Sequence, residues 1–164
     1  MIQFKKSILV LLVLLGCRTT VNAQYDPLFT QYMFNEVFIN PAYAGSREAI
    51  SSTALYRNQW AGIDGAPKTQ TVSVHGPIKN KRIGLGLAVM NESIGVEHKI
   101  GVFATYAYRV MTSDQGRLAF GLQGGLINIK EYYLDVITHD KGDEQFSQNV
   151  QSVVPNAEIG RAHV

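Results

Sequence analysis

Residues 82–90, Arg-Ile-Gly-Leu-Gly-Leu-Ala-Val-Met, place an apolar side chain at every second position and glycine or alanine between. A period of two is the repeat of a strand with two unlike faces. Here Ile83, Leu85, Leu87 and Val89 make one face, and Gly84, Gly86 and Ala88 make the other. The pattern recurs over 99–110, where Ile100, Val102, Ala104, Tyr106, Tyr108 and Val110 oppose Lys99, Gly101, Thr105, Ala107 and Arg109. Over 117–128, Leu118, Phe120, Leu122 and Leu126 oppose Arg117, Gly121, Gln123 and Gly125. Over 68–78, Val72, Val74 and Ile78 oppose Thr69, Thr71, Ser73 and His75. A weaker run, 49–58, has Ile50, Ala54 and Tyr56 on its apolar side.

These runs are longer than the ~5–6 residues usual in soluble strands. They match the ~9–11 residues that cross a bilayer at a tilt. One face is apolar and the other small or polar, as a membrane barrel requires with lipid outside and a wet or filled lumen inside. A secreted soluble sandwich also alternates, but its inner faces seldom lie opposite faces so rich in glycine. The predicted fold is therefore all-β, a transmembrane antiparallel barrel, with Tyr106 and Tyr108 suited to the membrane interface. The expected connections are 59–67, 79–81, 91–98 and 111–116, the longer ones outside the cell and the shorter ones in the periplasm. A long polar stretch, 131–155, follows. About five strands are expected over 47–157. Bacterial barrels have an even number of strands, at least eight, so the chain reads as the N-terminal part of a longer one. Residues 158–164, Glu-Ile-Gly-Arg-Ala-His-Val, show no strand pattern and match what a common sequencing adapter encodes in one frame. They are expected to be a non-native tail.

Residues 1–23 read as a signal peptide. Lys5 and Lys6 precede an apolar run, and Val21-Asn22-Ala23 offers small residues for cleavage before Gln24. That run is too short to span a membrane as a helix. Leu14-Leu15-Gly16-Cys17 resembles a lipobox, but the cleavage site at Ala23 favours ordinary processing. The only cysteine then leaves with the leader, and with it any disulfide or thiolate chemistry. Removing Lys5, Lys6 and Arg18 from the 15 basic residues leaves twelve against 13 acidic ones. The basic balance belongs to targeting, and nucleic acid is excluded as a partner.

After the leader, residues 24–46 crowd aromatics and turn formers together. Asp26-Pro27 is a good helix start, because Asp caps free amides and Pro suits the first helical position. Leu28, Phe29, Tyr32, Met33 and Val37 recur on one helical face, with Thr30, Gln31 and Asn35 on the polar side. Asn40-Pro41 stops this short amphipathic helix, and Gly45 turns the chain into the first strand. So short a helix must pack somewhere: it docks in the barrel lumen or at its periplasmic mouth, the favoured reading, or it presents its aromatics to a partner. Asp26, Pro27, Phe29, Gln31, Tyr32, Met33, Phe34 and Asn35, followed by Asn40, Pro41, Ala42, Tyr43, Ala44 and Gly45, resemble the N-terminal signature of the PorP/SprF family. That resemblance implies an outer-membrane barrel component of type IX secretion and gliding. Its implied partners are outer-membrane lipid, type IX secretion components of the periplasm and outer membrane, and secreted or surface-anchored cargo proteins.

No catalytic constellation, cofactor motif or metal set emerges. His75, His98, His139 and His163 share no ligand spacing and read as lumen or loop residues. Gly84-Leu-Gly-Leu-Ala-Val89 lies within a strand, whereas phosphate binding needs a turn that opens a helix. Asp140-Lys-Gly-Asp-Glu144 lacks the spacing of a calcium loop, and Asn91-Glu92-Ser93 is a glycosylation sequon in spelling only. Trp60 suits a partner contact or the membrane interface equally. The expectation is a non-enzymatic component. Its rivals are a passive diffusion porin, which needs an open and charged lumen, and an outer-membrane phospholipase, which needs a Ser/His/Asp arrangement not seen here.

Overall fold

A computed structural model describes residues 32–78, 81–113, 116–133 and 148–163. They form one antiparallel sheet of six strands in sequence order: β1 (Ser51–Asn58), β2 (Lys68–Ile78), β3 (Ile83–Ile94), β4 (Glu97–Met111), β5 (Arg117–Glu131) and β6 (Val150–His163). Each strand pairs with its chain neighbour, a pure meander, and the sheet is open, with β1 and β6 at its edges. The 12 residues of β3 measure about 40 Å, or roughly 28 Å along the normal at a 45° tilt.

Burial follows the period of two, but in the inverse sense to a soluble sheet. The small and polar face is covered, while Val72, Val74, Leu85, Leu87, Val89, Val102 and Leu122 are exposed. Register aligns them across strands: Val72 faces Val89, Val89 faces Val102, and Val102 faces Leu126. The result is a continuous apolar band on the outer surface. Tyr106, Tyr108 and Phe120 stand outward near one end of the strands, and Tyr56, Trp60 and Tyr132 lie exposed at the other.

The opposite face carries its own rows. Gly84, Ala107 and Gly121 lie side by side on β3, β4 and β5. Above them run Gly86, Thr105 and Gln123, then Ala88, Phe103 and Gly125. Phe103 lies over two glycines: a Cβ at Gly101 would come within 2.7 Å of its ring, and one at Gly125 would overlap it. A ring laid on a glycine floor restores the apolar cover that glycine lacks.

Several expectations are corrected. The connection expected at 91–98 is a two-residue turn, Gly95-Val96, with Ile94 paired to Glu97. Gly95 takes a φ of 55° at the first central position, as a type II′ hairpin turn requires. The polar run around it belongs to the strands, and Glu92 of the sequon is buried on the inner face. The contrast of long outer loops with short inner turns therefore fails at this hairpin. Six strands are present where about five were expected, because β6 extends through 158–163 and pairs with β5 as far as His163. Asp140 to Glu144 and His139 fall outside the described residues. His98 is exposed, packing edge-on against Tyr132 at 5.4 Å.

The outward band predicts the response to charge. Leu87→Arg should destabilise the bilayer-folded protein by about 2–4 kcal/mol, whereas Gln70→Arg near the strand end should cost about 0–1 kcal/mol. Denaturant titration in phospholipid vesicles measures both. Equal costs at the two positions would mean that the exposed face does not meet lipid.

Candidate functional site

The covered face owes its cover to the segment that precedes β1. From Tyr32 the chain makes three short helical pieces: a 3-10 turn at Tyr32–Phe34, a single α turn at Glu36–Ile39 and a second 3-10 turn at Pro41–Tyr43. One amphipathic helix ending at Asn40-Pro41 was expected; it does end there, but Asn35 breaks it within the described residues. Asn40 is extended (φ −146°), as a residue before proline prefers. Its side chain accepts a hydrogen bond from the Ala42 amide at 3.0 Å. Asn40-Pro41 thus begins a new turn as well as ending the old one, with a cap and a proline at the first position.

This segment rests on the row of small residues. At Gly84 an added Cβ would overlap the Ala44 carbonyl, and at Gly121 it would overlap the main chain of Pro41 and Ala42. Ala42 and Ala44 are fully buried. Val37 and Ala44 pack on Ala107, and Ala42 packs on Ala119, with Tyr43 against both groups. Phe38 meets Phe103 edge to face at 5.4 Å and 72°.

Polar groups of the segment find partners on the sheet. Asn35, expected on the polar side, is 2% exposed. Its amide donates to Thr71 Oγ1 at 3.3 Å and its carbonyl accepts from Ser73 Oγ at 2.8 Å. The Gly45 amide donates to His75 Nδ1 at 2.9 Å, a role that needs an unprotonated Nδ1. Arg109 donates to the carbonyls of Ala44 and, at 2.7 Å, of Lys81. Gly45 itself has a φ of 69° and a Cβ there would sit 2.9 Å from Gly76, so both conformation and space exclude larger residues.

The sequence profile described as type IX secretion system membrane protein PorP/SprF matches residues 21–162. The chain belongs to the PorP/SprF family. Neither the curated proteins nor the solved structures give a match. The six strands are accordingly part of the wall of a membrane β-barrel, and the chain is a membrane component of the type IX secretion system.

Within this PorP/SprF chain, the signature residues separate into groups. Asp26, Pro27, Phe29 and Gln31 lie outside the described residues, and Tyr32 opens the first 3-10 turn. Asn35, Pro41, Ala42 and Gly45 are buried against the sheet, while Asn40 and Tyr43 are half-buried. Of the predicted apolar stripe, Val37 docks on the sheet and Met33 (55%) remains exposed, as does Phe34 (53%), while Leu28 and Phe29 lie outside the described residues. Sequence reasoning placed His75 and Arg109 on the inner face without a role, and passed over Phe103 and Glu48. A charged residue amid glycine and alanine was the available signal for Arg109.

Glu48, at a φ of 57°, receives hydrogen bonds from Lys81 and Arg117. The Lys81 ammonium first, then the Arg117 guanidinium, hold its carboxyl down from 4.5 to about 2. A depressed carboxylate contributes stability above its unfolded value and loses it as pH falls. The contribution is thus complete above about 4.5 and gone near 2. Hydrogen exchange at 45–48 should accelerate across that window, and Glu48→Gln should flatten the pH dependence.

Gly121→Val should push the segment off the row. Overpacking of this kind costs about 1–3 kcal/mol, a rise of roughly five- to 150-fold in the undocked population. Limited trypsin digestion at the exposed Arg47 should quicken accordingly while the strands stay resistant.

Proposed function

We propose that the chain forms part of a non-enzymatic outer-membrane barrel, exported by a signal peptide over 1–23, that helps the type IX machinery secrete or anchor surface proteins, including those used in gliding. The observation that carries this reading is the occupied inner face. The chain's own residues 35–45 fill the row of Gly84, Ala107 and Gly121. A diffusion porin needs an open lumen along its wall, and here main chain lies in its place. His75, the one inner-face histidine of β2 to β5, already accepts from Gly45, which favours structural work over hydrolysis. Periplasmic type IX components and secreted cargo are the partners this reading calls for.

Deletion of the gene should leave type IX cargo in the periplasm, read by proteomics of medium and cell fractions. The purified full chain in planar bilayers should give little stepwise conductance. Large, steady conductance steps together with normal secretion in the deletion strain would replace this reading with a porin.

A further inference from the structure

At the rim where β2 turns into β3 and β4 into β5, cations from separate segments converge. Lys81, Arg82, Arg109 and Arg117, with Val110 and Met111, line a cavity of about 390 Å³. Among the described residues, the one carboxylate in contact with them is Glu48, shared by Lys81 and Arg117. Four cations against that one acid leave an excess of three positive charges among the described residues. Arg109 is 4% exposed and donates to neutral main-chain carbonyls, and its Nε has no partner. Arg82 is exposed and meets no acid among the described residues. So much positive charge gathered around a cavity calls for an anion.

The surroundings say which kind. On the outer face just inside this rim stand Tyr106, Tyr108 and Phe120, all exposed. Leu85 and Leu122 stand level with Tyr106, and Leu87, Val89, Val102 and Leu126 lie farther in. Moving outward, the surface runs apolar, then aromatic, then cationic, which is the order of acyl chain, interface and phosphate in a lipid leaflet. The cavity has the same mixed character, because Val110, on the outer face, and Met111, at the strand end, are exposed beside the cations. An acidic peptide segment would gain nothing from that apolar side.

We infer that this cluster binds the phosphate of an anionic membrane lipid, with its acyl chains along Val110 and Tyr108. Guanidinium groups match phosphate oxygens in paired hydrogen bonds, and Arg82 and Arg117 supply them. The inference rests on the barrel wall meeting lipid and does not depend on the secretion role.

The test uses the full chain in nanodiscs of mixed phosphatidylglycerol and phosphatidylcholine, with retained lipid counted by native mass spectrometry. Wild type should retain phosphatidylglycerol preferentially. Arg82→Gln should lower that preference roughly fivefold, Lys81→Arg should keep it, and Glu48→Gln should raise it. Lys68→Gln, at the opposite rim, should leave it unchanged. Equal preference in wild type and Arg82→Gln would overturn the site. Loss of the lipid to millimolar inorganic phosphate would overturn the lipid in favour of a free anion. Crosslinking of Arg82→Cys to an acidic protein segment in cells, with no lipid preference, would overturn it in favour of a protein partner.

Discussion

The arrangement depends on one close approach, that of main chain 41–45 to the row Gly84, Ala107 and Gly121. A peptide chain can lie directly on a sheet only where the facing positions carry nothing beyond a Cβ. It then removes its own amides and carbonyls from water, and each needs a partner. The partners are Asn40 for the Ala42 amide, His75 for the Gly45 amide and Arg109 for the Ala44 carbonyl. The charged and titratable groups of the inner face are thus tied to the glycines by necessity. Without His75 or Arg109, the small row would bury unsatisfied backbone, at about 1–3 kcal/mol for each group.

The filled inner face also explains why the exposed one is apolar. In a soluble sheet the apolar side is buried and the small polar side wet. Here the small side holds the docked segment, and Val72, Leu87, Val102 and Leu126 are left outward in register. An apolar band of this extent in water would drive association. In lipid it is the required surface, and the backbone polar groups beneath it are satisfied by the neighbouring strands, as a bilayer demands. The two faces therefore support one reading, since neither makes sense unless the other meets its own environment.

β2 to β5 were legible because small or polar residues alternate with apolar ones over most of their length, and a period of two survives small errors at the ends. The β3–β4 hairpin was not, because Asn91, Glu92 and Glu97 resemble loop residues. They are strand residues that face the inside or the rim. β6 was missed for a related reason. Pro155 removes a donor and suits only an edge strand, and Gln151, Ser152 and Asn156 blur its alternation. The docked segment was half legible. Its stop at Asn40-Pro41 could be read, but a helical wheel cannot show that Asn35 breaks the helix before it. Nor could any local pattern pair Gly121 with Ala42, since nearly eighty positions separate them and only strand register brings them together.

Docking accounts for only part of the signature. Asn35, Pro41, Ala42, Ala44 and Gly45 each have a reason in the sheet: a hydrogen bond, a cap, a tight approach or a positive φ. Met33 and Phe34 have none of these. Phe34 is held through its backbone, whose carbonyl accepts from Thr53 Oγ1 at 3.2 Å, while its ring and the Met33 side chain stand away from the six strands. A large apolar pair left exposed costs solvation that a polar pair would not. The signature therefore combines a docked part with an exposed apolar part. The docked part joins small and polar residues to Val37 and Phe38, and the break at Asn35 sets it apart from the exposed Met33 and Phe34.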